Sequence, residues 1–259
     1  MNKYCNQIEL SVIVPCLNEE ENVSRIVHQT IDLFNSDSIR GEIILINDGS
    51  IDNTKLEIDK LTKKFKNVVG IEHGQNLGIV ESWHSGLEKT QGKHILTIDA
   101  DLQYNPNDII ILYNEIKKAD YDLVQGWRRK HKKREFLRLF LSKCLSLFLN
   151  MLFFDNLPDI KSGFVIYKRG VFTDILNDRK KFRTFQHFFI IAALKKGYKL
   201  KRVPITFYPR TRGKSFIKHP FFFSIKVLGD VPRAILEFGI LSKRRLSEAR
   251  HVWDSRTLG

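Results

Sequence analysis

The sequence predicts an α/β protein built on a mostly parallel sheet flanked by helices. Three observations carry that prediction. Five short runs rich in Ile, Val and Leu alternate with segments of helical length between residues 8 and 126, the pattern of successive βαβ units. The runs are nearly continuous in apolar residues, as strands covered by helices on both faces must be. Each run stops abruptly at polar, acidic or glycine residues, where the chain leaves the sheet.

The elements follow in order. IELSVIVP (8–15) is the first strand by its β-branched content, and residues 19–34 the first helix. GEIILIND (41–48) is the second strand, followed by a helix over 53–65 with Leu56, Ile58, Leu61 and Phe65. NVVGIEH (67–73) is the third strand and residues 78–89 the third helix. HILTID (94–99) is the fourth strand, 107–118 a helix, and YDLVQG (121–126) a fifth strand. No internal repeat or low-complexity tract interrupts them. At 259 residues, 42% of them hydrophobic, the chain can bury a sizeable core. Length alone allows one large domain or two small ones.

The net charge of +14 implies an anionic partner: phosphates, nucleic acid or a lipid surface. Cys5, Cys16 and Cys144 show no paired spacing, which points to a reducing compartment and away from structural zinc. MNKYCNQIELSVIVP at the amino terminus lacks a basic-then-apolar signal segment. No uncharged apolar run reaches the roughly 20 residues of a spanning helix. A cytoplasmic protein is expected.

In open α/β sheets ligands gather outside the carboxyl ends of the strands. Those ends carry Pro15-Cys16-Leu17-Asn18-Glu19, then Asn47-Asp48-Gly49-Ser50, then Asn76-Leu77-Gly78, then Asp99-Ala100-Asp101. Glu19, Asp48, Asp99 and Asp101 thus fall along one edge. Clustered acids raise each other's pKa unless a cation or hydrogen bonds compensate, and oxygen donors of this kind suit a divalent metal. Asp48-Gly49-Ser50 reads equally as a turn and helix cap, and Asn18 or Glu19 as a helix opening. Asp99 and Asp101 are harder to assign to capping, because one cap needs one acid. At i and i+2 on an extended chain they share a side. No G-x-G-x-x-G follows the first strand and no P-loop lysine motif occurs. That argues against an ordinary nicotinamide dehydrogenase or a P-loop nucleotidase.

VIVPCLNEEENV, EIILINDGSIDNT, NLGIVESWHSG and TIDADLQYNP together resemble inverting family 2 glycosyltransferases of the GT-A fold, a Rossmann-like architecture. The nearest likeness is to the polyprenyl-phosphate branch typified by dolichol-phosphate mannose synthase. VQGWRR (124–129), PDIKSGFVIYKR (158–169) and GYKLKRVPITFYPRTRGKS (197–215) extend it in the same order over residues 8–218. No single motif decides the matter; the ordered combination does.

The resemblance implies roles. Pro15, Leu17 and Glu19 match the loop that holds the base and ribose of a nucleotide-sugar donor. Asp48 matches an acid of the family's DDGS loop, whose first acid is Asn47 here. Asp99, Ala100 and Asp101 match the DxD-type motif. Asp101 and Gln103 correspond to ligands of Mg2+ or Mn2+ at the donor diphosphate, and Asp99 to a contact with the sugar-nucleotide or the metal. Arg128, Arg138, Arg210 and Ser215 correspond to the acceptor-phosphate site. Of the acidic positions, Asp99 and Asp101, with Arg128 and Arg210, are the expected catalytic set. The donor is GDP-mannose or a UDP-sugar, and the acceptor a dolichyl or undecaprenyl phosphate. A lipid monophosphate is already anionic near neutral pH, so it needs cationic positioning more than a strong base, and arginine forks suit phosphate oxygens.

Six of the seven residues 128–134 are Lys or Arg, which also fits a solvated basic loop. Residues 135–154 place Arg138, Ser142, Ser146 and Asn150 four apart in one narrow polar stripe. The wide opposite face is apolar apart from Lys143. A core helix or an interfacial helix with its apolar face in lipid both fit. PFFFSIKVLGDVPRAILEFGIL (220–241) is very apolar, yet Lys226, Asp230 and Arg233 oppose spanning. These features suggest C-terminal amphipathic helices associating with an anionic membrane surface. The expected layout is a catalytic domain over 1–218 and an apolar helix with tail over 219–259. The protein would lie peripherally on the inner face of the membrane, resembling those members that are catalytic domain alone.

Three alternatives stand beside this reading. A glycan or glycolipid hydroxyl acceptor would want a carboxylate base, for which Asp159 is the candidate. A degenerate transferase serving as a partner subunit is opposed by the intact DADLQ. A nucleic-acid-binding protein would interleave aromatic and basic residues on a sheet face; the basic residues instead cluster at 128–134 and 195–218, so no nucleic acid is expected. Oligomeric state is not readable.

Overall fold

The computed structural model describes residues 7–128, 162–182, 184–210 and 220–238. Arg138, Asp159 and Ser215, the rest of the basic run after Arg128 and the 135–154 helix lie outside the described residues.

The strands are β1 (Leu10–Cys16), β2 (Gly41–Asp48), β3 (Val68–His73), β4 (His94–Thr97), β5 (Leu123–Arg128), β6 (Val165–Lys168) and β7 (Leu200–Ile205). Between them run α1 (Val23–Ser36), α2 (Thr54–Lys64), α3 (Ile79–Lys89), α4 (Ile109–Lys118), α5 (Arg169–Leu176) and α6 (Phe189–Lys195), and α7 (Pro220–Phe238) follows β7. The sheet order is β3-β2-β1-β4-β6-β5-β7. Every pairing is parallel except those of β6, which runs antiparallel to β4 and β5. The expected mostly parallel sheet flanked by helices is therefore what the chain forms. The apolar runs assign no strand beyond residue 126, and β6 is a four-residue strand of reversed direction.

Side-chain alternation along β1 and β2 divides the core between the two faces. Ile13, Ile44 and Ile46 face Trp83 of α3, Phe172 of α5, Phe189 of α6 and Val227 of α7. Val12, Val14, Ile43 and Leu45 face Val27 of α1, Ile58 of α2 and Leu112 of α4. Burial on both faces is why these strands read as continuous apolar runs.

Two boundaries depart from expectation where the site lies. The first helix begins at Val23, not residue 19, because Glu19, Glu20 and Glu21 belong to the loop after β1. β4 ends at Thr97, not Asp99. Its neighbour β6 pairs with it no further than Thr97↔Val165. The Thr97 hydroxyl then donates to the Gly163 carbonyl (2.7 Å), and the chain turns through Leu102 at φ 57°. Asp99 and Asp101 thus sit in a turn rather than on an extended chain, so the alternation argument for their shared side does not apply.

α7 lies within the expected 220–241 segment. Val227, Val231, Ala234 and Phe238 are buried in the protein core, whereas Leu228 and Leu236 are exposed. The buried Asp230 carboxylate accepts from the backbone N–H and the hydroxyl of Thr184 (2.7 and 2.8 Å). One face of this helix is therefore held by protein. Among the described residues no helix is long and apolar enough to cross a membrane.

Candidate active site at the carboxyl ends of β1 and β4

β1 lies between β2 and β4, so the chain departs from it in one direction and later returns on the other side. The loops after β1 and β4 diverge there and leave a crevice, the usual ligand position in such sheets.

The loops after β1 and β2 are latched together. Asn18 takes φ 55°; its N–H donates to the Ser50 hydroxyl and its Oδ1 accepts from Ile51 N–H (both 2.9 Å). Glu19 N–H donates to the Thr54 hydroxyl (2.8 Å) and Asn53 N–H to Glu20 Oε2 (2.9 Å). Gly49 has φ 72°, and a Cβ there would stand 2.4 Å from the Gln75 carbonyl carbon, so only glycine lets the loop after β3 approach.

Asp48 ties that third loop down. Its Oδ1 accepts from His73 Nδ1 and from Leu77 N–H (both 2.8 Å), and its Oδ2 from Gly78 N–H (2.9 Å). The last two groups lie at the amino end of α3, where a carboxylate is favoured. His73 in turn meets the Ser85 hydroxyl through Nε2 (3.0 Å). Asn47 gives its amide N–H groups to both oxygens of Glu72 (3.0 Å each). An aspartate at 47 would face Glu72 with like charge, which is a local reason for Asn at this position.

The charged centre joins three chain segments. Arg210, after β7, donates from Nη1 to Glu19 Oε1 (3.1 Å) and from Nη2 to Asp101 Oδ2 (2.9 Å). Glu19 and Asp101 are both buried. Burial raises the Glu19 carboxyl above its ordinary value and nearby Asp101 adds to this, while Asn22 and Arg210 oppose it. Asp99 is pushed up to about 7, first by burial and then by Asp101, with Arg128 and Arg210 pulling the other way. Its carboxylate lies beside Gly163.

The floor is aromatic. Tyr104 and Phe207 form an antiparallel bridge with their rings edge to face, 5.0 Å between centroids. Phe207 also carries the Arg128 guanidinium above its ring at 5.0 Å. Gln103 N–H donates to Asp101 Oδ1 (3.1 Å), and its side-chain amide donates to the Tyr208 carbonyl (3.1 Å). Tyr208 N–H returns a bond to the Gln103 carbonyl (2.8 Å).

Of the sequence-predicted residues, Glu19, Asp99, Asp101, Arg128 and Arg210 converge on one another. Ala100 is buried in the turn between the acids, and Pro15 and Leu17 are half-buried at the end of β1. Asp48 is engaged with His73 and the entry of α3. Sequence reasoning missed His73, Glu72, Phe207 and Tyr208. A histidine closing an apolar strand was the one available signal for His73; nothing local marks the others.

Among the described residues no group of three His, Cys, Asp or Glu side chains could hold a metal alone. The donor set still fits a shared cation. Asp99 and Asp101 supply hard oxygens, their mutual repulsion calls for positive charge, and Gln103 leaves its Oε1 for a ligand. Ions of the Mg2+ class are commonly held by one or two carboxylates plus substrate phosphates.

Comparisons with known proteins follow the same line. A family model described as Glycosyl transferase family 2 matches residues 11–176. The chain is similar to a dodecaprenyl-phosphate galacturonate synthase of Rhizobium johnstonii, 28% identical over 218 residues, covering 83% of this chain and 63% of the relative. It is 27% identical over 177 residues to a dolichyl-phosphate beta-glucosyltransferase of Trichomonas vaginalis, covering 63% of this chain and 54% of that one. The chain thus spans less than two thirds of these relatives' length. In fold it resembles glucosyl-3-phosphoglycerate synthase from Mycobacterium tuberculosis, solved with Mg2+ and uridine diphosphate. That match has a TM-score of 0.66 at 17% identity, covering 90% of this chain and 80% of the other. Mannosyl-3-phosphoglycerate synthase from Rubrobacter xylanophilus gives a TM-score of 0.66 at 16% identity, over 92% and 77%.

Proposed function

The chain is a member of glycosyl transferase family 2, and on that premise we propose that it moves a hexose from a nucleotide-sugar to a polyprenyl phosphate, with inversion, at the inner face of a membrane. The observation that carries this reading is the meeting of Arg128 and Arg210 with Asp99 and Asp101. Acids suited to a donor's cation and arginines suited to a second anion share one crevice. The relatives whose names specify dodecaprenyl-phosphate or dolichyl-phosphate support the acceptor class.

In this reading the latched loops around Leu17, Glu19 and Asp48 hold the nucleotide, and Pro15 sets the end of β1 beneath it. Asp99, Asp101 and Gln103 would hold Mg2+ or Mn2+, which neutralises charge on the leaving diphosphate. Arg128, fixed over Phe207, orients the lipid phosphate, and Arg210 adds a second fork. Arg138 and Ser215 are assigned to the same phosphate. The phosphate oxygen attacks the anomeric carbon from the side opposite the donor diphosphate. A carbon–oxygen bond forms as the bond to the diphosphate breaks, and the nucleoside diphosphate leaves with the electron pair. An acceptor that arrives as an anion needs no side chain to take its proton, so positioning supplies most of the rate.

Basic residues near 128–134 and the exposed Leu228 and Leu236 of α7 support a peripheral position on an anionic surface. GDP-mannose and UDP-sugars are the donors to test. Incubating the full chain with Mn2+, each donor and a short polyprenyl phosphate should release nucleoside diphosphate and form a glycosyl phospholipid with one donor. Transfer only to glycan hydroxyls, and to no polyprenyl phosphate, overturns the acceptor assignment.

A further inference from the structure

Arg210 raises a difficulty for a simple acceptor role. Its guanidinium is not turned toward open crevice; it spans Glu19 from the β1 loop and Asp101 from the β4 loop, at 3.1 and 2.9 Å. Both acids are buried, and the Arg210 side chain is only 19% exposed. A buried pair of acids beside Asp99 would be costly without a cation. The fork therefore supplies, on a proposed ligand of that ion, the compensation that a divalent ion would otherwise bring.

Arg210 and a divalent cation are like charges drawn to the same carboxylate of Asp101. Its Oδ1 accepts from Gln103 N–H and its Oδ2 from Arg210, so a divalent cation on Oδ2 would meet a like charge on the same oxygen and compete with the guanidinium for it. A donor diphosphate would shift this balance, because its anionic oxygens would add to an ion that the protein alone offers only the two carboxylates and Gln103, the rest of its ligands being water. The displaced guanidinium is then a free fork beside Arg128, where the acceptor phosphate is expected.

We propose that Arg210 is the resident counter-ion of the donor acids, that the donor–cation complex displaces it, and that this displacement is what makes it available to the acceptor phosphate. The second half rests on the polyprenyl-phosphate reading; the first does not. Arg210 thereby sets both the weak affinity of the site for a bare cation and the order of binding, donor before acceptor.

The test is Mn2+ binding to the full-length protein without nucleotide, read by the loss of the free-ion electron paramagnetic resonance signal. Arg210→Gln, which removes the charge and the fork, should bind Mn2+ roughly tenfold more tightly than wild type, the scale of losing a charge-assisted hydrogen bond. Arg210→Lys keeps the charge but cannot span both acids, and should fall between the two. If the lysine variant matches wild type while glutamine binds more tightly, long-range charge accounts for the effect and direct competition is overturned. If neither variant binds Mn2+ more tightly while both melt as wild type does, the counter-ion role is overturned as well. A second arm titrates farnesyl phosphate. Wild type should bind it more tightly once Mn2+ and nucleoside diphosphate are present, and Arg210→Gln should lose that gain. Absence of farnesyl phosphate binding in every state, with the Mn2+ order intact, overturns the acceptor reading and leaves the cation competition supported.

Discussion

His73 donates from Nδ1 to Asp48 Oδ1 across 2.8 Å, and the same oxygen accepts from Leu77 N–H at 2.8 Å. Both side chains are buried. The pair joins the ends of β2 and β3 to the start of α3. Asp48→Ala removes the acceptor for two backbone N–H groups and an imidazole at once. It should cost about 2–4 kcal/mol in urea unfolding, the scale of opening a buried charge-assisted network. His73→Asn keeps a donor toward Asp48 and should recover part of what His73→Leu loses. Equal losses in the two variants would show that the hydrogen bond is not what matters.

Asp101→Ala should lower sugar transfer by roughly a hundredfold or more, since in the proposed mechanism this carboxylate would hold the leaving group's cation. Asp99→Asn should have an effect of the same order. Nucleoside diphosphate release measures both. Full activity in Asp101→Ala would contradict the cation assignment.

Phe207 holds the Arg128 guanidinium over its ring at 5.0 Å, an interaction worth about 0.5–2 kcal/mol. Phe207→Leu should therefore raise KM for the lipid phosphate several-fold with little change in KM for the donor. Arg128→Ala should do so more strongly. An equal rise for both substrates would show that Phe207 supports the crevice as a whole.

Burial holds the His94 imidazole below its ordinary 6.5; Lys117, Lys168 and Lys93 push the same way, and a hydrogen bond to the Glu9 backbone partly offsets them. The unfolded chain therefore takes up this proton first. The stability tied to neutral His94 is complete above pH 6.5 and is lost as pH falls through 6.5 toward the lower folded value. Asp99, raised in the folded state, has the opposite sign and loses its contribution as pH rises. Comparing wild type with His94→Phe, by denaturant unfolding at about pH 7.5 and about pH 5.5, isolates the histidine. The variant should lose less stability on acidification.

A Cβ at Gly86 in α3 would stand 2.8 Å from Ile13 Cγ2 and 3.3 Å from Ile46 Cδ1. Alanine gains about 1 kcal/mol of helix propensity, but overpacking costs about 1–3 kcal/mol. Gly86→Ala should be destabilising, and combined with Ile13→Ala, which removes Cγ2, the double variant should lose less than the sum of the two single losses. Unfolding free energies of the single and double variants read this coupling.

The first strands were legible in the sequence because continuous apolar runs such as Ile43–Ile46 suit strands covered on both faces. β6 was not, since the short buried run Val165–Tyr167 carries no sign of its reversed direction. The acids at 99 and 101 were found as a cluster, yet by an argument about extended chain that the turn after Thr97 replaces. The contact of Arg210 with Glu19 spans 191 residues; no local pattern encodes such a distance, and only the meeting of the β1 and β7 loops creates it. Asp48 shows the converse. Its two sequence readings, cap and nucleotide contact, are not exclusive, because a carboxylate that closes the loop before α3 also shapes the wall beside the crevice.

The bridge between Tyr104 and Phe207, with the reciprocal bonds of Gln103 and Tyr208, also governs how this chain can be re-engineered. The segments that would read donor and acceptor are not interchangeable modules. A chimera that imports residues 206–210 from a relative while keeping native 101–104 would set mismatched side chains and carbonyls against each other. Swapping both segments together, with Arg128 retained, is the graft that respects the seam.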